Sequence, residues 1–453
     1  MKQRVVIIGG DAAGMTAAGR VRGGASDAEV VALEMGRFTS YSACGIPYAI
    51  GGLVAGGVER LVARSPEQHR QRGVDVRLHH EATAIDTAAG TVEVLDQHAG
   101  ETYQLGYDQL MVATGGAPIR PSLPGIDLPF IQGVQTLGDA ERLLALAEDG
   151  CRRVVIVGGG YIGLEMAEAF IERGCSATIV ERGAQPLALL DEDFGARIAA
   201  ALRQRGIDVR TETTVEGFAP QRVITDGGEL PADLVVLGIG VRPRSELAAA
   251  AGIELGVQDA IRVDDRQATS VDGVWSAGDC ATAVHVVTGA PVHIPLGTYA
   301  NKHGRVAGLN IARRLAGAEG AGDDARALPV AGTAVTKLCK LEIGLTGLRQ
   351  DTAIDAGLDA VTVTIEATTQ AGYMPGARPM TVRMTAERGT GRLLGAQILG
   401  GPGAAKRIDV VATALAAGMT VADVAELDLG YAPPFSGVWD PVAVAAREAT
   451  KEV

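Results

Sequence analysis

The sequence predicts an α/β chain in which one design occurs twice: a strand, a glycine turn, a helix and a second strand ending in an acid. An α+β domain follows. Three observations carry this expectation. The first copy is Arg4-Val5-Val6-Ile7-Ile8 running into Gly9-Gly10-Asp11-Ala12-Ala13-Gly14. The second begins ~150 residues later, where Val154-Val155-Ile156-Val157 enters Gly158-Gly159-Gly160-Tyr161-Ile162-Gly163. Beyond Ala331 strand-like runs alternate with no such turn. Two copies are far more specific than one, and the simplest reading is two dinucleotides held by two domains.

Each element has a local reason. Arg4–Ile8 is a short apolar run that reads as a fully buried strand, and an Ala-rich helix pattern extends from its glycine turn to about Gly23. The next strand, Glu29-Val30-Val31-Ala32-Leu33-Glu34, ends in an acid 20 residues after Gly14. Amides left free in the turn can hold a pyrophosphate at the helix N-terminus, and Glu34 can bond a ribose hydroxyl. Asp11 stands in the place of the middle glycine, so this copy is imperfect. The second copy is a full G-x-G-x-x-G, with a helix pattern to Gly174 and the strand Ala177-Thr178-Ile179-Val180-Glu181. Glu181 favours NADH by bonding both ribose hydroxyls, while the adjacent Arg182 softens its repulsion of a 2′-phosphate. Apolar strands Leu110–Val112 and Leu234–Leu237 end in the glycine-bearing turns Ala113-Thr114-Gly115 and Gly238-Ile239-Gly240. The proline-bearing stretch from Arg120 to Asp139 reads as a domain linker. Val274-Trp275-Ser276-Ala277-Gly278-Asp279 delivers a lone carboxylate into a turn, either as a cap or as a partner for a polyol chain. Towards the C-terminus come strand patterns at Val361–Ile365 and Pro379–Met384, a helix pattern from Ala404 to Ala417, and Tyr431-Ala432-Pro433-Pro434-Phe435.

Composition narrows the function. A net charge of −13 argues against nucleic acid or an anionic membrane surface, and aromatics at 4% offer no base-stacking platform. No apolar run is long enough to span a bilayer. A strand pattern starting at Arg4 leaves no room for a leader, so the expectation is a cytoplasmic protein. The five cysteines are odd in number and far apart, the pattern of a reducing compartment, and no Cys/His cluster has metal spacing.

One of those cysteines sits in Thr39-Ser40-Tyr41-Ser42-Ala43-Cys44-Gly45-Ile46-Pro47-Tyr48-Ala49. Pro47 predicts a helix starting just after Cys44, and a thiol at a helix N-terminus has a lowered pKa. Two readings stand on these residues alone: a reactive thiolate, or an inert cysteine buried in a tight turn.

Taken together, these motifs resemble the flavin-dependent pyridine nucleotide–disulfide oxidoreductases along essentially the whole chain. The resemblance implies two Rossmann-like dinucleotide-binding domains, one for FAD and one for NADH or NADPH, plus a C-terminal α+β dimerisation domain. The expected bounds are 1–118 with 246–328 for FAD, 119–245 for NAD(P)H and 329–453 for dimerisation. The implied FAD contacts are Gly9, Gly14, Glu34, Ser42, Ala82, Thr114, Gly115, Asp279, Leu296, Gly297 and Thr298. Gly158, Gly160, Tyr161, Ile162, Gly163, Glu181 and Gly240 are the implied nicotinamide-cofactor residues. Two-cysteine members carry C-x4-C, but here the fifth residue after Cys44 is Ala49, and the last histidine is His303, so their C-terminal His-Glu pair is missing.

The single-cysteine branch fits. Ser40 to Gly45, Ala371-Gly372-Tyr373-Met374-Pro375-Gly376 and the Tyr431 to Phe435 run resemble coenzyme A-disulfide and persulfide reductases. The implied function passes electrons from NAD(P)H through flavin and Cys44 to a small-molecule disulfide or persulfide. The implied catalytic residues are Cys44, Tyr431 and Tyr373, with both tyrosines lent by the second subunit of a homodimer. Thr16, Arg20, Ser40 and Asn301 are the implied substrate contacts, and no metal is expected. Ala12 stands where peroxidase and oxidase members carry a histidine. Ala43 and Trp439 replace an Asn and a basic residue of coenzyme A-specific members. The alternatives are an NADH oxidase working through a Cys44 sulfenic acid and an NADH-dependent reductase of an electron-transfer protein.

Overall fold

The computed structural model describes residues 2–318 and 323–453. Two five-stranded parallel sheets repeat one plan. The first runs Val274–Ser276, Gln109–Val112, Arg4–Ile8, Glu29–Glu34, Val74–Leu78. The second runs Ile131–Gly133, Leu234–Leu237, Arg153–Val157, Ser176–Val180, Asp208–Arg210. The central strands are buried along their length, which is why they read as unbroken Val/Ile/Leu runs rather than alternating ones. Both sheets carry a three-stranded antiparallel meander in the same place, His80–Gly106 in one and Val215–Pro231 in the other.

The repeat differs at one edge. Val274–Ser276 joins the first sheet only after the second has been completed, so the first sheet is built from separated stretches of chain. The two crossings between the sheets, Gly116–Pro118 and Val241–Pro243, pair antiparallel with each other. The stretch from Arg120 to Asp139 is more than a linker: Ile131–Gly133 is the edge strand of the second sheet, and Thr136 caps the helix Leu137–Glu148. Prolines suit such an edge, where a missing N–H costs no ladder bond.

The C-terminal unit is an antiparallel sheet ordered Ala334–Leu338, Leu341–Gly347, Leu393–Gly400, Pro379–Glu387, Ala360–Thr368. The helices Ile408–Ala416 and Pro441–Ala449 supply the other half of its core. The 404–417 pattern forms its helix late, because Ala405–Arg407 is a one-turn 3-10 segment. Arg383 fastens this unit to the second sheet's domain through Asp191 at 2.7 Å and Asp193 at 2.8 Å, with its guanidinium over the Phe194 ring. Among the described residues no helix is long and apolar enough to cross a membrane.

Candidate active site

The two glycine turns are built alike. Gly9 and Gly158 take φ of +111° and +102°, a region open to glycine and costly for other residues. A Cβ on Gly14 would lie 2.0 Å from Gly9 O, and one on Gly163 would lie 2.2 Å from Gly158 O, so each helix presses directly on its own turn. The helices start at Ala12 and Tyr161, with Ile162 and Gly163 completing the first turn of the second. Each strand-ending acid ties the turn to the loop beyond it. Gly10 N and Gly36 N donate to Glu34 at 2.8 and 2.7 Å, and Gly159 N and Gly183 N donate to Glu181 at 2.7 and 2.6 Å.

The copies part at the middle position. Gly160 and Asp11 both cap a helix with extended backbone, and Asp11, at φ −118°, adopts it without strain. The Asp11 side chain turns away to accept Tyr41 N at 3.0 Å and so draws the cysteine loop onto the dinucleotide turn. Thr39 Oγ1 and Ser40 N both donate to Gly10 O, at 2.5 and 3.0 Å. Ser40 is held at φ +49° with its hydroxyl 2.8 Å from His69 Nε2. Ser42 is exposed and donates its backbone N–H to Leu61 O at 2.9 Å.

Cys44 lies in the 3-10 turn Ala43–Gly45, which leads into the helix Ile46–Ile50. It is the exposed one of five free cysteines. The expectation of a depressed thiol pKa is corrected here: the pKa is raised. Surrounding protein is the largest cause, followed by the negative charge of Glu165 and Asp279 and, more weakly, Asp11. A five-residue helix has too small a dipole to outweigh three carboxylates.

Those carboxylates are themselves shifted upward. Burial takes Asp11 to about 7, helped by the charges of Glu34 and Asp279 and opposed by the Tyr41 N–H. Burial also raises Asp279, which follows Gly278 at φ +91°. Glu165 is raised by burial despite the hydroxyl of Thr336, which donates to it at 2.7 Å. Glu165 is a residue that sequence reasoning missed. It lies one helical turn after Tyr161, on the same face, and that spacing was the available signal. The charge of Glu165 also acts on Tyr48. Helix Tyr161–Glu172, the cysteine loop and strand Ala334–Leu338 thus converge on one carboxyl.

Several predicted residues come together. Thr16 Oγ1 donates to Asn301 Oδ1 at 2.9 Å, and Arg20 is exposed one turn further along the Ala12–Gly24 helix. Thr114 Oγ1 donates to Arg244 O at 2.5 Å, and Gly115, at φ +70°, accepts Arg244 N. Gly297 and Thr298 open the helix Gly297–Leu315, with Leu296 as its cap residue. Gly240, at φ +104°, accepts Ile119 N. Ala82 sits in the first meander opposite Val94, against the core. Tyr373 and Tyr431 lie near each other, with Tyr431 acting on the Tyr373 hydroxyl, and are 75% and 49% exposed. Among the described residues no interaction joins either tyrosine to Cys44 of the same chain. Also unforeseen is a basic flank beside Ser40: the charges of Arg64 and Arg72, after burial, hold His69 down at about 4.

The residues present fit a dinucleotide at each turn. The close helix–turn packing leaves only backbone at both anion positions, and each acid is fixed where a ribose would meet it. Beside the second turn Tyr161 Oη is shielded from solvent with no protein partner, a polar atom available to a ligand.

Comparison with known proteins agrees with this geometry. The model of the family described as pyridine nucleotide-disulphide oxidoreductase matches residues 3–304, and that of its dimerisation domain matches 333–442. An NAD(P)H coenzyme A polysulfide/persulfide reductase of Pyrococcus horikoshii is 38% identical, over 99% of this chain and 98% of its own. An NADH oxidase of Methanocaldococcus jannaschii is 34% identical over 99% of both chains. The structure of an NAD-dependent persulfide reductase from A. fulgidus superposes with a TM-score of 0.94 at 36% identity, covering 99% of this chain and 83% of that one. The chain therefore belongs to the pyridine nucleotide-disulphide oxidoreductase family, with FAD and a nicotinamide dinucleotide as its cofactors.

Proposed function

We propose that this chain reduces small-molecule disulfides or persulfides with NAD(P)H, using Cys44 as its single redox-active thiol. The observation that carries the reading is that Cys44 alone among five free cysteines is exposed, on a loop pinned by Asp11 and Gly10 to the first dinucleotide turn. With Ala49 in the place of a second cysteine, no internal disulfide forms there. The sulfur partner of Cys44 must come from the substrate.

Cys44, as thiolate, attacks one sulfur of the substrate, forming a Cys44–substrate disulfide and releasing a thiolate that takes up a proton. FAD and NAD(P)H, when bound, supply the two electrons that return this bond to two thiols. Because the Cys44 pKa is raised, its thiolate is a minority form at neutral pH, and attack quickens as pH rises. In this reading Tyr373 and Tyr431, exposed on the C-terminal unit, protonate the substrate sulfur that leaves at Cys44 of the second subunit. The match to a dimerisation domain supports that homodimer. Five unpaired cysteines support the reducing cytoplasm as its compartment.

The basic flank of Arg64 and Arg72 beside Ser40, with Arg20 exposed on the first helix, suits an anionic carrier thiol such as coenzyme A. That support stands against Ala43 and Trp439, which argued for another carrier. A second reading, oxygen reduction through a Cys44 sulfenic acid, rests on the 34% identical NADH oxidase. One experiment separates them: anaerobic NADH and NADPH turnover against coenzyme A disulfide, glutathione disulfide, a persulfide and polysulfide, with an aerobic control. Fast anaerobic reduction of one sulfur substrate supports the first reading. Turnover with oxygen alone supports the second.

A further inference from the structure

Cys151 and Cys175 play no part in that chemistry. They are 24 residues apart in sequence and enter two neighbouring parallel strands, Arg153–Val157 and Ser176–Val180. Arg153 pairs with Ser176, and Ser176 N donates to Arg152 O at 2.8 Å, so the strand entries are held in register immediately after the cysteines. Cys175 Sγ donates to Cys151 O at 3.5 Å, and the two thiols are near enough for Cys175 to act on Cys151. They face the same apolar core and are 9% and 7% exposed, so only a small part of each residue reaches solvent. Cys280, by contrast, is fully buried with Ser276 as its neighbour, and Cys339 lies against Glu168.

We propose that Cys151 and Cys175 form a second, reversible dithiol–disulfide couple, a redox-set staple of the nucleotide domain that low-molecular-weight disulfides oxidise. In the first step one cysteine, as thiolate, displaces half of the reagent RSSR, giving a mixed disulfide and RSH. In the second, the neighbouring thiol displaces the remaining RS group and closes the Cys151–Cys175 bond. The protein loses two electrons and two protons, and the reagent gains both as two RSH. Burial, then Cys175 and Asp233, push the Cys151 thiol up to about 12, which slows any step in which Cys151 attacks. The bond would join the strand starts, while the Gly158–Gly163 turn lies at the opposite, C-terminal ends of the strands. The nucleotide site is left intact, and the unfolded chain is constrained. None of this depends on which substrate Cys44 reduces.

The test uses the FAD-loaded Cys44→Ser protein, incubated with 2-hydroxyethyl disulfide in the absence of NAD(P)H, then unfolded, alkylated and mapped by mass spectrometry. The expected product is a linked Cys151–Cys175 peptide pair, with the protein lighter by two hydrogen atoms and Cys280 alkylated as a free thiol. The oxidised protein melts at a higher temperature than the reduced one, and dithiothreitol reverses the shift. In Cys175→Ser or Cys151→Ser added to that background, the remaining cysteine carries the reagent or stays free, and the gain in Tm is absent. Alkylation of both cysteines after prolonged exposure, two separate mixed disulfides, or a link to any other cysteine overturns the couple. A link with unchanged Tm overturns its role as a staple.

Discussion

Replacing Gly163 by Ala separates the two cofactor sites with one methyl group. Its Cβ would meet Gly158 O at 2.2 Å, where real Cβ atoms essentially never come within 3.0 Å of a neighbour, so the helix Tyr161–Glu172 must withdraw by at least 0.8 Å (3.0 less 2.2). Overpacking of this kind costs about 1–3 kcal/mol of stability. Misplacing a binding group by about 1 Å costs on the order of 10²-fold in rate. Reduction of bound flavin by subsaturating NADH, followed anaerobically by stopped flow, should therefore fall ~10²-fold while the flavin content stays at the wild-type level. Gly14→Ala reverses the pattern. Its Cβ meets Gly9 O at 2.0 Å, and the purified protein should lose FAD. Gly19→Ala is the control, since its Cβ meets nothing within 4 Å inside the helix Ala12–Gly24, and it should gain about 0.5–1 kcal/mol. A Gly163→Ala protein that loses flavin yet keeps a normal KM for NADH would refute the assignment of the two turns.

Three further outcomes follow from the site. Glu165→Gln removes the largest of the negative charges acting on Cys44, so the pKa of the thiol should fall and iodoacetamide should label Cys44 several-fold faster at neutral pH. The two profiles should merge at low pH, where Glu165 is protonated and as uncharged as the glutamine, and equal profiles throughout would remove Glu165 from the account. Asp11 titrates near 3.8 when unfolded and at about 7 when folded, so the native cofactor-free protein binds the extra proton between those values and loses stability as pH rises through them. Urea midpoints at pH 5 and pH 7 should show that loss, and Asp11→Asn should flatten it; an unchanged slope contradicts the shift. If Tyr431 is lent across a two-fold axis, refolding Cys44→Ser with an impaired Tyr431→Phe should recover part of the activity, because mixed dimers hold one intact site. No recovery from two inactive parents would place both residues in one chain.

The sheets and turns were legible because buried parallel strands announce themselves as apolar runs and because glycine is needed where Gly9 and Gly158 take positive φ. Glu34 and Glu181 were equally readable, each as the acid that ends the strand after its turn. What escaped was whatever depends on contacts between distant segments. The Cys44 thiol is raised first by burial and then by Glu165 and Asp279, more than a hundred residues away, and a local helix-dipole argument could not see them. Asp11 looked like a defect in a motif, yet its side chain holds the cysteine loop through Tyr41. Ile131–Gly133 hid in a proline-bearing stretch because a three-residue edge strand has no period to detect. The tyrosines stand apart: their nearness to each other is visible in one chain, but the role proposed for them at Cys44 calls for a second.

The most direct test of the central claim is anaerobic kinetics on Cys44→Ser. The variant should bind FAD and accept electrons from NADH at the wild-type rate, because neither needs sulfur, while turnover of every disulfide and persulfide falls to background. Changes at Cys151, Cys175, Cys280 or Cys339 should leave that turnover nearly unaltered. A Cys44→Ser protein that still reduces a disulfide at an appreciable fraction of the wild-type rate would contradict the role given to Cys44.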